Sequence, residues 1–546
     1  MNKKVLLYQA IIAGISTLLF IPFIGKIHLF DWDELNFAES AREMILTGDY
    51  LNVRINFEPF WEKPPLFIWM QVVSMKLFGI NEFAARFPNA ICGIVTLLIL
   101  FNLGNRLYNN RFAFLWTLAY AGSILPFFYF KSGIIDPWFN LFTFLSVIFW
   151  IYAIDAKTDN KKYLYCFLSA SFLGLAMLSK GPVSVLIFGI LALILFIFNG
   201  FRLSLNWKQL GLFAISFIVI GGLWFILQII SGNFDIIKDF IIYQIRLFRT
   251  KDAGHGGFPF YHFIILLFGV FPASVFAIQG HKYIGPGNIK KTLHIAMIAL
   301  LWIVLLIFSV VKTKIVHYSS MTYFPITYLA AYSCYNIINE KIRFRLWQKM
   351  LLMIIGGILS TAIILLPVIY TNRNILIEKG FITNPFIIGN LQAETGWNLY
   401  QSLIGIALLA GMIISLALFQ KKKTVSLVIL YSSSMLFILF SMIFIAKGAE
   451  KISQNGAIEF IQEKAGNDVY MKSFHKSYAV LFYGQQKIPV DKKVFNIQWL
   501  ANGNIDKDAY FIGRIHKKEA IQKKYPELQF LYEKNGYVFF LRKAVE

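Results

Sequence analysis

Long apolar runs recur along the chain, and short polar segments separate them. Counting runs of roughly 17–25 apolar residues predicts about thirteen transmembrane helices, because a helix needs about 20 residues to cross a bilayer. The predicted spans lie near residues 5–24, 86–107, 112–130, 137–154, 163–179, 182–199, 210–230, 258–279, 293–311, 317–337, 349–371, 400–419 and 424–446. The pattern therefore indicates an α-helical polytopic membrane protein.

The first long connection between spans, residues 25–85, has its own helical pattern. In the stretch "ELNFAESAREMILTG" the apolar residues fall at helical spacing, and Gly48 follows as a stop signal. The apolar positions are Leu35, Ala38, Ala41, Met44 and Ile45. This spacing predicts an amphipathic helix on the membrane surface, and residues 233–248 have the same pattern.

The pattern changes after residue 446, where the apolar runs become short. "NGAIEFIQEKA" has helical spacing, whereas "DVYMKS", "AVLFYG" and "AYFIGR" are typical of strands. "QFLYEKNGYVFFLRK" predicts a hairpin with its turn at Lys534-Asn535-Gly536. We therefore expect a transmembrane domain over residues 1–446 and a small soluble α/β domain over residues 447–546.

Composition and charge agree with a membrane protein and set its orientation. The chain of 546 residues is 57% hydrophobic and 15% charged, which is not a soluble composition. The net charge of +23 could suggest nucleic-acid binding, but most Lys and Arg residues lie in short loops between apolar runs. With the N-terminus inside, every inner loop is basic, and an odd number of spans leaves the C-terminus outside. We therefore expect no nucleic-acid partner.

Four polar features lie on the predicted outer face, and each has a structural alternative. The first is "FDWDELNFAESAREM", where Asp31, Asp33 and Glu34 could cap a helix or form part of a site. The second is Glu62-Lys63-Pro64-Pro65. It is either a turn with an incidental ion pair or a rigid turn that holds Lys63 at the level of the lipid headgroups. Both interpretations of each feature remain open from the residues alone.

The third feature is Asp136-Pro137, which is either a helix start or an acid at membrane depth. The fourth is "RLFRTKDAGHGGFPFYHF", a glycine-containing loop that carries Arg246 and His255. Lesser polar features share this side of the membrane: Ser179-Lys180-Gly181-Pro182, Lys312, Lys314, His317 and Tyr318. Acids beside cations at a membrane surface suit a reaction on a lipid-linked phosphate, in which the cations hold the phosphate and a carboxylate activates the attacking group.

Several of these motifs occur together in an order that resembles a known family. "DELNFAESAREMILTGDY", "FWEKPPLFIW", "NEFAARFPNAICG", "IIDPWF" and "LSKGPV" follow one another as in the ArnT-like glycosyltransferases. These enzymes are similar to the protein O-mannosyltransferases and lipid A aminoarabinose transferases and have the GT-C fold. The resemblance covers roughly residues 1–340. It implies a multi-pass protein of the bacterial inner membrane, with a cytoplasmic N-terminus and a periplasmic C-terminal domain.

The resemblance also implies an activity. A sugar would move from a polyprenyl phosphate donor, such as undecaprenyl phosphate, to an acceptor on the outer face, with inversion at the sugar carbon. A lipid A-like lipid, a polysaccharide and a protein all remain open as acceptors, and membrane lipid surrounds the site. This family often has Arg-Tyr where the chain has Leu35-Asn36-Phe37, so the identity of the sugar stays open.

By motif, the resemblance assigns roles to individual residues. Asp33 matches the carboxylate that acts as base or positions the acceptor, Asp136 matches the second family acid, and Glu34, the partner of Asp33 in the Asp-Glu pair, is the third catalytic candidate. The residues matched to donor-phosphate binding are Lys63, Arg246, Lys314 and Tyr318. Glu62 and His255 match positions linked with a divalent metal such as Zn, Mg or Mn. Metal dependence stays open, because two ligands do not define a site.

Two other functions remain open from the sequence. A transporter or flippase of a lipid-linked substrate would need polar residues near mid-membrane, broken helices and internal repeats, and we find no convincing repeat. An assembly scaffold would explain the soluble domain but not the Glu62-Lys63-Pro64-Pro65 turn. The glycosyltransferase accounts for more of these features than either alternative does.

Overall fold

The computed structural model describes residues 3–250, 256–285, 287–489 and 491–544. In its first half the helices are Lys3–Phe20, Asp33–Thr47, Leu66–Phe78, Glu82–Leu107, Asn110–Ala121, Ile124–Tyr129, Asp136–Asp155, Asp159–Lys180, Val183–Phe198, Trp207–Gly221, Leu223–Ile230 and Phe234–Arg249. The later helices are Tyr261–Gly269, Ala273–Ala277, Asn288–Val310, Tyr323–Ile338, Leu346–Thr371, Arg373–Glu378, Pro385–Leu391, Ser402–Leu418, Lys423–Phe440, Ala446–Ser453, Asn455–Lys464, Ala479–Phe482, Ile497–Asn502 and Lys518–Lys524.

The structure has a helix at each of the thirteen predicted spans, but not all of them are long. Over the described residues, eight helices are long and apolar enough to cross a membrane, and two bent pairs raise this number to ten. Three predicted spans fall short of this length. Residues 112–130 form two short helices that meet at Gly122, and Val183–Phe198 and Tyr323–Ile338 have 16 residues each. The chain is a multi-pass membrane protein.

Asparagine side chains cap the N-terminal ends of several of the helices. The side chain of Asn81 accepts a hydrogen bond from Ala84 N at 2.9 Å, and that of Asn109 accepts one from Phe112 N at 3.0 Å. Each amide satisfies a backbone donor that the first turn of a helix leaves unpaired. Pro137 occupies the first turn of Asp136–Asp155, where its missing N–H costs nothing.

The helix Asp33–Thr47 confirms the predicted helix and its stop. Gly48 adopts a left-handed conformation with φ of 69°, and its N–H donates to Met44 O. The environment of this helix differs from the prediction, because its polar face is buried as well as its apolar face. Glu39 and Glu43 are fully buried. The predicted exposed polar face is therefore wrong, since the outer loop and the C-terminal region cover it.

A short hairpin in the first outer loop covers part of that polar face. Its strands are β1 (Arg54–Ile55) and β2 (Glu58–Pro59), and its tip residues Asn56 and Phe57 both have φ of 58°. Glu43 Oε2 accepts a hydrogen bond from Phe57 N at 2.8 Å. The buried side chain of Glu43 therefore ties the hairpin tip to the helix.

The apolar helix Leu66–Phe78 was not predicted within the outer loop. It begins directly after Pro65, which occupies the N-cap position. Because the two prolines precede the helix rather than interrupt it, they are compatible with the helix that follows.

The C-terminal region contains a four-stranded sheet in the order β3-β4-β6-β5. The strands are β3 (Tyr470–Ser473), β4 (Ala509–Arg514), β5 (Gln529–Lys534) and β6 (Tyr537–Arg542). β3 pairs with β4 in parallel, and the other pairs are antiparallel. The predicted hairpin is confirmed, but "AVLFYG" is not a strand: Ala479–Phe482 is a helical turn. A short apolar run fits either conformation by its pattern alone.

The two faces of this sheet pack against different cores. Phe539 lies in the large core that continues into the membrane helices, whereas the neighbouring Val538 and Phe540 lie in a smaller core of their own. This alternation follows from the two-residue period of a strand. The sheet is therefore fixed to the first outer loop and the membrane helices through one face.

Candidate active site

The carboxylate of Asp33 faces another segment of the chain rather than capping its own helix. Trp32 occupies the N-cap position and makes no side-chain capping bond. Asp33 Oδ2 lies 3.5 Å from Nε2 of His317, which belongs to the short turn Val316–Thr322. The Asp33 side chain is 43% exposed, so it combines a fixed partner with access to a ligand.

Asp136 lies on the other side of the same histidine. Its Oδ1 accepts hydrogen bonds from Lys180 Nζ at 2.5 Å and from Ser320 Oγ at 3.2 Å. Its Oδ2 lies 4.0 Å from His317 Nε2. The Asp136 side chain is only 5% exposed, so the two predicted acids meet through His317, and Asp33 is the more accessible of the two.

Lys63 and Lys180 bring positive charge to these acids. Burial lowers the pKa of Lys63, Glu62 opposes that shift, and the nearby Lys180 adds to it. Asp33 and Asp136 also act on the pKa of Lys63, which shows that all these charges lie within interaction range. The site is therefore a compact set of two carboxylates and two ammonium groups.

The helix Phe234–Arg249 docks on the Glu62-Lys63 turn through Tyr243. The Tyr243 hydroxyl donates to Glu62 Oε2 at 2.8 Å, and Lys63 Nζ lies 5.2 Å from the centre of the Tyr243 ring. The guanidinium carbon of Arg246 lies 5.0 Å from the same ring. One aromatic ring thus brings together Arg246 and Lys63, two of the cations predicted to bind phosphate.

The predicted metal ligands do not form a ligand set among the described residues. Glu62 accepts a hydrogen bond from the Tyr243 hydroxyl, and His255 lies outside the described residues. Within ranges 3–250, 256–285, 287–489 and 491–544, no three His, Cys, Asp or Glu side chains are grouped closely enough to hold a metal ion. We therefore derive no step through a metal.

Glu34, the third predicted catalytic acid, is engaged by protein groups. Its carboxylate accepts from Arg86 Nε at 2.8 Å and Nη2 at 2.7 Å, and from the backbone N–H groups of Phe30 at 3.0 Å and Gly133 at 2.6 Å. Burial opposes ionisation of Glu34, but the Arg86 guanidinium and these hydrogen bonds outweigh it and lower its pKa. This arrangement favours a structural role for Glu34, in contrast to the catalytic role expected from its motif.

The two later residues predicted for phosphate binding differ in position. Lys314 Nζ donates to Phe308 O at 2.6 Å and to Ser309 O at 2.8 Å, so it caps the C-terminal end of Asn288–Val310. The ring of Tyr318 lies 5.2 Å from Lys180 Nζ. The structure therefore brings Tyr318 to the site, whereas the ammonium group of Lys314 is engaged by a helix end.

Sequence reasoning left Lys180 and His317 out of the site, although both lie at its centre. Lys180 lies in the "LSKGPV" motif and His317 lies inside the Lys314-x-x-x-Tyr318 element, but the resemblance gave neither residue a role of its own. One sequence signal pointed to Lys180: it lies at the end of a predicted span, directly before Gly181-Pro182, and the structure confirms that the helix ends there. For His317 the signal was its place directly before Tyr318, but its pairing with Asp33 depends on the packing of the turn Val316–Thr322.

A cavity of about 230 Å³ opens beside Asp33. His317 and Tyr129 line it next to the acid, and Met442 and Ile443 from the last long helical region form an apolar wall. The cavity therefore joins a charged end to an apolar side, as a ligand with a charged head and a lipid chain would require.

The C-terminal region contacts the turn that carries Asp33. Asp31 accepts hydrogen bonds from the hydroxyl of Ser477 and from Tyr478 N. Lys476 Nζ lies 3.8 Å from the centre of the Trp32 ring. Burial raises the pKa of Tyr478 to about 12, and nearby acids including Asp33 add to the shift. The C-terminal region thus covers one side of the site and engages Asp31.

The fold is that of a polytopic membrane protein with the GT-C architecture. The structure superposes on the crystal structure of ArnT from Cupriavidus metallidurans bound to undecaprenyl phosphate with a TM-score of 0.76, 16% identity and coverage of 98% of both chains. The apo form of the same protein gives a TM-score of 0.74. The chain therefore has the ArnT fold.

Sequence comparison gives the same resemblance. Residues 62–224 match a family described as dolichyl-phosphate-mannose-protein mannosyltransferase. The chain is 26% identical over 321 residues to an undecaprenyl phosphate-alpha-4-amino-4-deoxy-L-arabinose arabinosyl transferase of Shewanella sediminis, and the match covers 58% of each chain. The match to the Photorhabdus laumondii protein of the same description is 26% identical and covers 45% of that protein. The chain thus spans about half the length of these relatives, and the resemblance to ArnT-like glycosyltransferases is confirmed.

Proposed function

We propose that the protein is a membrane glycosyltransferase that moves a sugar from a polyprenyl phosphate donor to an acceptor. The observation that carries this proposal is the cluster in which His317 lies between Asp33 and Asp136 and Lys180 pairs with Asp136. An accessible carboxylate beside cations is the arrangement that transfer from a phosphate-linked sugar requires.

Asp33 is the base in this proposal. Its carboxylate takes the proton from the acceptor hydroxyl or phosphate as the acceptor oxygen bonds to the anomeric carbon. The bond from that carbon to the donor phosphate oxygen breaks, and the electron pair leaves with the phosphate. One displacement inverts the configuration at the anomeric carbon.

The cations stabilise the phosphate that leaves. Lys63 lies within interaction range of both acids, Lys180 pairs with Asp136, and Arg246 shares the Tyr243 ring with Lys63. Negative charge grows on the phosphate as the bond breaks, so cations fixed in advance lower the barrier. Asp136 and His317 are positioning residues, since they hold Lys180 and Asp33 respectively.

The donor and acceptor follow from the resemblance and from the cavity. The names of the relatives contain undecaprenyl phosphate-alpha-4-amino-4-deoxy-L-arabinose, and an undecaprenyl or related polyprenyl phosphate fits a cavity with one charged end and one apolar wall. We take a lipid A-like lipid as the leading acceptor, with a glycan or a protein as the alternatives. No particular sugar is part of the proposal.

The proposal includes a location. The basic inner loops support a cytoplasmic N-terminus in the bacterial inner membrane, with the site on the periplasmic side. Residues 447–546 would then form a periplasmic domain on the transmembrane domain of residues 1–446. Contacts between Asp31 and residues Ser477 and Tyr478 support this assignment, because they put the soluble domain on the same side as Asp33.

The test uses the purified full-length protein with an undecaprenyl phosphate sugar in detergent or vesicles. We expect release of undecaprenyl phosphate by the wild-type protein and its loss in Asp33→Asn. Glu58→Gln is a matched control, because Glu58 lies in the same loop and its side chain is 46% exposed against 43% for Asp33. Equal release by Asp33→Asn and the wild type would overturn the proposal, and translocation of the intact lipid by both would favour a flippase.

A further inference from the structure

A second and larger cavity lies away from Asp33, between the C-terminal sheet and the hairpin of the first outer loop. Its volume is about 600 Å³, within the range of about 300–1,000 Å³ that is usual for small-molecule sites. Asn56 and Phe57 at the hairpin tip form one wall, and Tyr470, Lys472 and Trp499 of the C-terminal region form another. The cavity is therefore built jointly by the two parts of the chain.

Lys472 is the side chain in this cavity that most needs a partner. It is half-buried in β3, and burial lowers its pKa. Its Nζ lies 5.7 Å from the centre of the Phe495 ring, and within the part of the chain that the structure describes no carboxylate pairs with it. Lysines are rarely removed from water without an opposite charge, so this position favours an anionic ligand.

The acids that line the same cavity already have partners. Asp468 accepts from Lys507 Nζ at 2.7 Å, and Asp506 accepts from the Tyr470 hydroxyl at 2.8 Å. Asp491 accepts from the backbone N–H of Lys493 at 2.9 Å. None of these acids forms an ion pair with Lys472 within the described part of the chain, so its ammonium group has no carboxylate partner in the cavity.

The rest of the lining suits a sugar. The rings of Tyr470 and Trp499 meet edge to face with centres 6.4 Å apart, and the amides of Gln486 and Asn504 lie in the same wall. A sugar ring has an apolar face of C–H bonds that packs on aromatic rings and a rim of hydroxyls that needs both donors and acceptors. Side-chain amides supply both.

We propose that this cavity binds an anionic sugar, with the carboxylate or phosphate of the sugar opposite Lys472 and its ring beside Trp499. The identity of the ligand rests on the proposed function: if the protein is a glycosyltransferase, the ligand is a charged sugar of the acceptor glycan or glycolipid. The cavity shares the first outer loop with Asp33, so an acceptor held there approaches the membrane from the side on which Asp33 lies.

Calorimetry with the full-length protein in detergent tests the binding without any donor. The probes are glucuronate, neutral glucose and acetate, which separate a charged sugar from a sugar or an anion alone. We expect glucuronate to bind at least about tenfold more tightly than glucose or acetate, a difference of about 1.4 kcal/mol. Lys472→Met removes this preference, and Lys523→Met, at an exposed lysine of the same domain, keeps it.

Three outcomes overturn the inference: equal affinity for glucuronate and glucose, absence of measurable glucuronate binding to the wild type, or unchanged binding in Lys472→Met. If Lys472→Met does not fold, Trp499→Phe takes its place and is expected to weaken glucuronate binding. Asp33→Asn must retain this binding even though it abolishes transfer. If the wild type binds glucuronate but shows no transfer activity, the proposed anionic-sugar site stands and only the proposed glycosyltransferase function is refuted.

Discussion

His317 Nε2 lies 3.5 Å from Asp33 Oδ2 and so joins the first outer loop to a turn far along the chain. The same nitrogen lies 4.0 Å from Asp136 Oδ2. The imidazole therefore fixes the distance between an accessible acid and a buried one. A carboxylate that is held in one orientation loses less freedom when it meets a substrate than one that rotates freely.

We expect His317→Gln to lower kcat by about 100-fold with a small change in KM for the donor, because a misplaced base slows the reaction more than it weakens binding. Steady-state kinetics with the lipid-linked sugar measures both constants. His516→Gln is the matched control, because His516 is an exposed histidine of the C-terminal region. An equal loss in both variants would show that His317 has no special role.

Lys180 and Asp136 form a buried pair, which predicts strong coupling between their substitutions. Lys180→Met and Asp136→Asn should each destabilise the protein by about 3–5 kcal/mol, because each change leaves an unpaired buried charge. The double variant should be more stable than the sum of the two single changes implies. Unfolding of the detergent-solubilised protein measures the three values, and strict additivity would contradict the pairing.

Glu34→Gln separates a structural from a catalytic role for this acid. Removing the charge that faces Arg86 should cost about 3–5 kcal/mol of unfolding free energy. Glu340→Gln, at the exposed surface pair with Lys423, should leave the unfolding free energy close to the wild-type value. The folded fraction of Glu34→Gln should keep a kcat near the wild-type value. A large loss of kcat with unchanged stability would instead make Glu34 catalytic.

Glu43 predicts a pH dependence of stability. Burial raises its pKa above the ordinary value of 4.5, and the neighbouring Glu39 adds to the shift. Because its pKa is raised to about 8 in the folded state, Glu43 stabilises the fold fully below pH 4.5. This contribution is lost as the pH rises from 4.5 through about 8. Stability of the wild type should therefore fall across that window.

Glu43→Gln tests this directly, because glutamine resembles the protonated acid. The variant should match the wild type at low pH and exceed it in unfolding free energy at alkaline pH, with a flatter profile between. Glu58→Gln, which changes an exposed acid in the same loop, should leave the slope unchanged. A wild-type profile that rises with pH over this range would contradict the assignment.

The sequence predicts the membrane architecture well, because a long apolar run that must satisfy its backbone hydrogen bonds within lipid can do so only as a helix. It also predicts Asp33, Asp136 and Lys63 as site candidates through their motifs. It does not predict that Lys314 caps a helix end or that Glu34 is bound by Arg86, because those pairings depend on tertiary distances. The helical turn Ala479–Phe482 was missed because a four-residue apolar run has no usable period.

The most direct test of the central claim is the single-turnover rate of sugar transfer in Asp33→Asn. With donor prebound and acceptor in excess, loss of the base should slow the chemical step by about 100- to 10,000-fold, while donor affinity stays close to the wild-type value. Glu58→Gln should react at the wild-type rate. A single-turnover rate for Asp33→Asn within about tenfold of the wild type would contradict Asp33 as the base that activates the acceptor.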